Sequence, residues 1–491
     1  MANELGATEK ELIKTRTKKL KKIEMLGMQA YPSESKKQYS NARVKEIYTE
    51  FIASGQEIFV AGRITALRGH GKLVFADLED ESGKIQTVLK SDLLKKEFDL
   101  IPLLDLGDIV EVSGKIILTK SEEISVEAKH IKLLTKSLRP LPQKHYGFSD
   151  EEERFRKRYL DFLINPEIKE IFYQKAKFWN VVRKFMIDKG FLEVETPVLE
   201  TTTGGADAEP FKTHLNTLDI DVFLRISMGE LWQKRLLIGG FEKTFEIGRQ
   251  FRNEGASREH LQDYTQMEFY WAYANYEDSM KLSQELYQYI AQEVFGTTKF
   301  KINGFDIDLA GEWKKIDYAK TVKDKLKIDV SKASDAELKK KIEELKLKTS
   351  KFLTRGRMID TLWKSIRPTI AGPVFLINQP VEVSPLAKKT ADNPKLVERY
   401  QAIIGGTELS NGYTELNDPT DQRERFLEQM KLREKGDREA QMNDEDFVEA
   451  LEYGMPPATG FGMSERVFAV LSNRPVRECV MFPLVKPRNK K

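Results

Sequence analysis

The stretch FEIGRQFRNEGASREHLQDYTQMEFYWAY, Phe245 to Tyr273, decides the fold. Read with period two, Phe245, Ile247 and Phe251 point one way and Gln250, Arg252 and Glu254 the other. Beyond a polar, Gly-containing break the alternation resumes, with Thr265, Met267, Phe269 and Trp271 set against Tyr264, Gln266, Glu268 and Tyr270. Two such runs predict a long antiparallel hairpin. One face belongs to a core. The other gathers Arg252, Glu254, His260, Glu268 and Tyr270, groups that carry or meet charge.

Working outward, the acids continue. RISMGELWQKRL offers Glu230, and IIGGTELSNGYTELNDP offers Glu408 and Glu415. Carboxylates that share one pocket repel, and one takes up a proton unless a cation joins them. The pattern therefore predicts a cationic substrate and a divalent metal; the alternative is that these are ordinary surface acids. Arg252 at a strand end and Arg466 in GFGMSERVFAVL are the cationic counterparts, suited to gripping a phosphate or carboxylate or to stacking on a base. The chain has no G-x-x-x-x-G-K-[ST], no G-x-G-x-x-G opening a strand–helix unit, no H-E-x-x-H and no G-x-S-x-G. A nucleotide would have to be held on a sheet by arginines.

At 491 residues the chain should divide into more than one domain. Lys+Arg 80 nearly cancel Asp+Glu 77, but KELIKTRTKKLKKIEML and KPRNKK concentrate positive charge, which suits a polyanion or a solvated face. A single cysteine, Cys479, excludes a disulfide framework and a cysteine-based zinc site. There is no apolar run near ~18 residues and no apolar signal core, so a cytoplasmic protein without a membrane partner is expected.

Residues 1–56 read as a basic helical extension whose helix runs over about 5–27. Five short β-type runs within 57–138, separated by Gly, Asp and Ser turns, predict a small barrel of the oligonucleotide-binding type. There Phe75 is either barrel core or a stacking surface for a base, with Gln86 placed to read a base edge. Residues 139–165, with Pro140 and Pro142, read as a linker, and 166–491 as the second domain. In that domain NPEIKEIFYQKAKFWNVVRKFMIDKG predicts a helix with Asn165 as N-cap and Gly190 past its end. FLEVETPVL reads as a strand, 297–375 as a largely helical insertion, and a final helix begins near Ser464.

Together, GFLEVETPVL, FRNEGASREHLQDYTQMEFY and GMPPATGFGMSERV resemble the three ordered motifs of the class II aminoacyl-tRNA synthetases. VEVSPLAKK and GTELSNGYTELNDPTDQRERF narrow the likeness to the lysyl-tRNA synthetases of the bacterial type, over about residues 5–487. The resemblance implies an α+β fold: an N-terminal five-stranded OB-fold barrel that binds the anticodon, then an antiparallel catalytic sheet flanked by helices. It implies ATP-dependent activation of L-lysine, transfer to tRNA(Lys), Mg²⁺, a homodimer, and no DNA partner. The dimer would bury an apolar stripe of Phe172, Trp179, Val182 and Phe185.

By position, the resemblance gives Arg252 the α-phosphate and the substrate carboxylate, Glu254 the adenine amino group, and His260 a phosphate. Tyr264 stands where the family usually stacks Phe on adenine, with Arg466 opposite. Glu230 would take the α-amino group; Glu268 and Glu415, with Tyr270, the ε-ammonium. Gly205, Asn411 and Tyr413 complete the lysine site, Glu408 and Gln401 the metal site, and Arg68, Phe75 and Gln86 the anticodon site. Departures are that GFGMSER is one residue short with Ser464 for the last Gly, RISMGEL is one residue long and lacks Pro, and Gln401 stands where a second metal-binding acid is usual. His130 replaces an acid that contacts the anticodon in some relatives. These departures also fit a catalytically silent RNA-binding relative, which lysine-dependent exchange of pyrophosphate into ATP would distinguish.

Overall fold

The computed structural model describes residues 7–142, 150–206, 208–255, 257–349, 353–384, 386–437 and 440–488. The expected helix start before Ala7, part of the expected linker (143–149) and the end of the basic tail (489–491) lie outside them. Two compact units result, Met1–Asn165 with Leu484–Lys491, and Pro166–Pro483.

The first unit opens with helix α1 (Ala7–Met25). Strands β1 (Glu57–His70), β2 (Leu73–Asp80), β3 (Gly83–Lys90), β4 (Ile109–Leu118) and β5 (Ile124–Thr135) close a barrel in the order β1-β2-β3-β5-β4. This is the five-stranded OB-type barrel predicted from the turn spacing. On β2, Ala76 and Leu78 enter the buried core while Phe75 stays half-buried on the opposite face. Of the stretch read as a linker, residues 151–164 are largely helical. Asp150 caps helix α2 (Glu151–Arg156) through the Glu153 amide, and α3 (Arg158–Ile164) buries an Arg158–Asp161 ion pair at 3.0 Å. Phe155 and Ile164 supply the buried apolar positions. Charge blocks that look like linker in sequence are split between a solvated face, with Glu151 and Glu152 exposed, and the buried Arg158–Asp161 pair.

In the second unit a turn over Pro166–Ile168 leads into α4 (Lys169–Asp188). Asn165 does not cap it: its Nδ2 donates back to Asp161 at 2.8 Å, closing the previous helix. FLEVETPVL yields only β6 (Leu192–Glu193) and a separate two-residue strand at Leu199–Glu200, because Pro197 interrupts the pairing. The central sheet adds β7 (Lys243–Phe251), β8 (Asp263–Ala272), β9 (Lys314–Asp317), β10 (Val374–Ile377), β11 (Arg399–Ile404), β12 (Thr407–Thr414) and β13 (Ala458–Ser464). Its order is β9-β10-β11-β12-β13-β8-β7-β6, antiparallel except for the two outermost pairs. The predicted hairpin is β7–β8, in register from Lys243↔Trp271 to Phe251↔Asp263.

Phe245, Met267, Phe269, Phe461 and Met463 form one face of this sheet and pack into a core with Phe178, Val182, Phe185 and Met186 of α4. The stripe assigned to a dimer is thus covered within the chain: Phe172, Val182 and Phe185 are buried and Trp179 leans on the same core. The segment 297–375 is also less of an insertion than composition suggests. It begins with a small hairpin (Lys299–Ile302, Phe305–Asp308), and β9 and β10 belong to the main sheet. The helices between β9 and β10, within Tyr318–Ile366, pack around Trp363, Leu362 and Leu338 in a second core that also takes in Leu376 and Ile403 of the sheet. Lysines on edge strands are common protection against pairing, and they make a strand read as a helix surface.

Candidate functional site

The face of the sheet opposite the core is the floor of a cavity of about 490 Å³. Register sets its rows. One row runs Glu268–Gly462–Asn411–Gln401 across β8, β13, β12 and β11, and the next Tyr270–Gly460–Tyr413–Arg399. The glycines of β13 keep the floor open between the large side chains. A Cβ at Gly460 would lie 2.1 Å from Glu415 Oε1, and one at Gly462 would lie 3.1 Å from Glu268 Cγ. On β12 the pairing skips Leu409, and this bulge turns Glu408 onto the wall shared by Gln401 and Asn411.

Three buried glutamates meet at one end. Glu268 accepts from the Met228 amide (3.1 Å) and Gln266 Nε2 (2.5 Å) on Oε1, and from the Tyr270 hydroxyl (3.0 Å) on Oε2. Burial, with Glu230 adding to it, still pushes its carboxyl up to about 7. Glu230 begins helix α5 (Glu230–Ile238) and accepts from the Tyr413 hydroxyl at 2.5 Å. Glu415 is raised by burial, against the pull of Lys234, and its Oε1 has no hydrogen-bond partner among the described residues. Burial and the acids hold Tyr270 and Tyr413 well above the ordinary phenol range, so both remain neutral donors. Gly205 closes over this end; its Cβ would lie 2.5 Å from Ser227 Oγ and 3.0 Å from Glu230 Oε2. The extra residue in RISMGEL places Gly229 at φ +66°, which proline cannot adopt.

The other end holds the cations. Arg252 donates through Nε to the Ile226 carbonyl (3.1 Å), and its guanidinium carbon lies 5.9 Å from the Tyr264 ring centre. Arg466, the first residue of the final helix (Arg466–Leu471), is tethered to the carbonyls of Glu259 (3.1 Å) and Glu408 (3.2 Å). Glu408 Oε2 faces Arg367 at 3.6 Å, and the other guanidinium nitrogen of Arg367 is 3.8 Å from Glu259. Asn411 accepts from Arg399 through Oδ1 at 2.7 Å, which leaves its Nδ2 for the cavity. Glu254 and His260 lie on the β7–β8 connection and do not line the wall. His260 pairs with Ser257 (2.8 Å), and burial, reinforced by Arg466, lowers its pKa to about 4, so the ring is neutral at physiological pH.

The described residues contain no group of three or more His, Cys, Asp or Glu arranged to hold a metal. Two oxygens do fit a hard cation in the presence of phosphates: the Glu408 carboxylate and Gln401 Oε1, a buried acceptor with no donor, in the same wall. On the barrel, Arg68 forks onto Asp77 (2.7 and 2.6 Å), with Phe75 in register opposite Arg68, and Gln86 opposite Asp77. Gln86 Oε1 accepts from Ser125 (3.0 Å), which leaves its amide donors outward. His130 leans on Glu97 (3.1 Å).

Thus twelve residues singled out in the sequence line one cavity: Gly205, Glu230, Arg252, Tyr264, Glu268, Tyr270, Gln401, Glu408, Asn411, Tyr413, Glu415 and Arg466. Sequence reasoning missed Lys234, Arg367 and Arg399. Of these only Lys234 left a signal, four residues after Glu230 on one helix.

Residues 150–486 match the family described as tRNA synthetases class II (D, K and N), and residues 58–134 match the OB-fold nucleic acid binding domain. The antiparallel sheet with arginines at one end of its cavity and acids at the other agrees with that match, and the chain belongs to the class II tRNA synthetases. Over 485 residues it is 42% identical to the lysine--tRNA ligase of Thermoanaerobacter sp. (strain X514), covering 98% of this chain and 97% of that one. It is 42% identical over 485 residues to that of Moorella thermoacetica (98% and 99% covered) and 41% identical over 488 residues to that of Thermotoga maritima (98% and 97%). Within the class, the chain belongs to the lysine--tRNA ligase family.

Proposed function

We propose that the chain activates L-lysine with ATP and transfers the lysyl group to the 3′ end of tRNA(Lys). The observation that carries this reading is the pairing of three buried glutamates at one end of the cavity with Arg252 and Arg466 at the other. A substrate with two ammonium groups and a carboxylate matches the first end and reaches the second. Glu230 takes the α-ammonium; Glu268 and Glu415, with Tyr270, take the ε-ammonium. Arg252 and Asn411 Nδ2 meet the carboxylate, and Gly205 and Tyr413 close the wall around the substrate.

ATP lies with its α-phosphate on Arg252 and its adenine between Tyr264 and Arg466, the amino group toward Glu254. A lysine carboxylate oxygen attacks the α-phosphorus, its bond to the bridging oxygen breaks, and pyrophosphate leaves. A ribose hydroxyl of the terminal tRNA nucleotide then attacks the activated carbonyl and AMP leaves. Positioning and charge neutralisation supply the acceleration, so no protein nucleophile is required. His260, neutral at physiological pH, serves a phosphate as an N–H donor rather than as a cation. Glu408 and Gln401 would hold Mg²⁺, which supplies further neutralisation of the ATP phosphates. Arg68, Phe75 and Gln86 face the anticodon loop. A homodimer is part of the reading, supported by Tyr173, Ile187, Leu192, Leu199 and Phe241, apolar side chains that stay exposed in the second unit. No helix among the described residues is long and apolar enough to cross a membrane.

Lysine-dependent exchange of pyrophosphate into ATP, followed by charging of tRNA(Lys), tests the reading. Exchange that another amino acid supports as well as lysine, or no exchange at all, overturns it.

A further inference from the structure

One buried charge has no place in the reaction as described. Lys234, on α5, is fully buried. Its Nζ lies 2.8 Å from Glu230 Oε1 and 2.5 Å from Glu415 Oε2, with the Tyr413 and Phe447 rings at 5.8 and 5.9 Å. Burial alone would lower its pKa, but Glu230 and Glu415 more than reverse this, so it is a cation. Glu230 reaches it from one turn earlier on the same helix; Glu415 reaches it from the residue just after β12.

We propose that Lys234 is a positioning residue for substrate selection: a built-in ammonium that locks Glu230 and Glu415 together and balances one of the three carboxylates, so that the fully deprotonated site carries two negative charges. This rests on the lysine-activating reading above. Three carboxylates face the site and Lys234 balances one. The remaining two match a substrate with two ammonium groups, and the carboxylate of that substrate goes to Arg252. An amino acid with a neutral side chain gives one buried acid no counter-charge, so that acid either stays protonated or stands as an uncompensated charge, and the gain an ε-ammonium would bring is lost. Lys234 also fixes geometry. Because it touches both the acid for the α-ammonium and an acid for the ε-ammonium, it fixes the distance between the two ends of the site. Removing one partner of a buried ion pair strands the other.

The test compares wild type, Lys234→Met and Lys234→Ala in pyrophosphate exchange between pH 6 and 9, with lysine binding measured by calorimetry. Lys234→Met keeps the length of the side chain and removes only the charge; thermal melting establishes that it is folded. The expected result is a rise in lysine KM of roughly 100-fold or more, with ATP KM and kcat at saturating lysine within about tenfold of wild type. In Lys234→Ala, added propylammonium should recover lysine binding and propanol should not, since only the former restores the charge. An unchanged lysine KM and pH profile in folded Lys234→Met, or equal rescue by propanol, overturns the proposal. A wild-type chain that lacks lysine-dependent exchange sinks the functional reading itself, a result distinct from any failure of the variants.

Discussion

Lysine binding should expel protons near neutral pH, because the acids proposed to receive it are held partly neutral in the free protein. Glu268 is raised from an ordinary 4.5 to about 7 by burial and by Glu230, and Glu415 is raised in the same direction. Below pH 7 the free site therefore carries protons that an ε-ammonium must displace. For Glu268 alone, lowering the pH from 8 to 6 weakens lysine binding about tenfold, since each unit below the pKa costs about 1.4 kcal/mol. Glu415 steepens the fall. The sign for folding is opposite. A carboxyl whose folded pKa exceeds its unfolded one contributes stability below about 4.5 and loses it as pH rises through about 7, on the order of 3 kcal/mol for this shift. Lysine restores that loss by supplying the counter-charge, so its stabilising effect on thermal melting should be larger at pH 8 than at pH 6. Calorimetry at pH 7 in buffers of different ionisation enthalpy reads the protons directly, and Glu268→Gln should remove one step. Lysine affinity that is flat from pH 6 to 8, with no buffer dependence, would refute the reasoning.

Other outcomes follow from the same geometry. Phe75→Ala should weaken charging of tRNA(Lys) by about 5- to 150-fold, the range of one lost base stack, while leaving lysine-dependent exchange intact; equal loss in both assays would make Phe75 a folding residue. Glu408→Gln should nearly abolish exchange, and Gln401→Glu should keep activity and lower the Mg²⁺ needed, a titration that a fully active Glu408→Gln variant would contradict. Gly460→Ala forces a methyl to within 2.1 Å of Glu415 Oε1, so lysine KM should rise sharply while ATP binding holds. Sedimentation at micromolar concentration should give a dimer, and a fully active monomer would rule that out.

The hairpin was legible because alternation survives burial: the same period that put Met267 and Phe269 in the core put Glu268 and Tyr270 in the cavity. The barrel was legible because its turns are spelled in Gly, Asp and Ser. Burial partners were not. Trp179 and Phe185 form a stripe that suits a subunit interface as well as a core, and only the fold of α4 onto the sheet decides. Lys234 sits in a helix in a Lys-rich chain and reads as a solvent residue; its contact with Glu415 spans 181 positions of sequence. Glu408 depends on a bulge that alternation alone would deny, because Leu409 is passed over in the pairing with β11. Arg367 reaches Glu408 from a turn at the edge of the helical segment, where no motif marks it.

The third motif, one residue shorter than the pattern it resembles, still keeps its strand in register with both neighbours. If the deletion fell within β13, its alternation would flip, and Met463 would face the cavity in place of Gly462. It does not. Gly462 stays opposite both Glu268 and Asn411, and Gly460 opposite both Tyr270 and Tyr413, so the floor is intact up to Ser464. At the junction Glu465 follows the strand directly, is buried, and pairs with Lys175 of α4. Ser464 Oγ accepts from the Arg466 amide at 3.3 Å, a turn that a glycine at this position could not make with its side chain. Arg466 is thereby held against the carbonyls of Glu259 and Glu408, and it lines the cavity despite the missing residue.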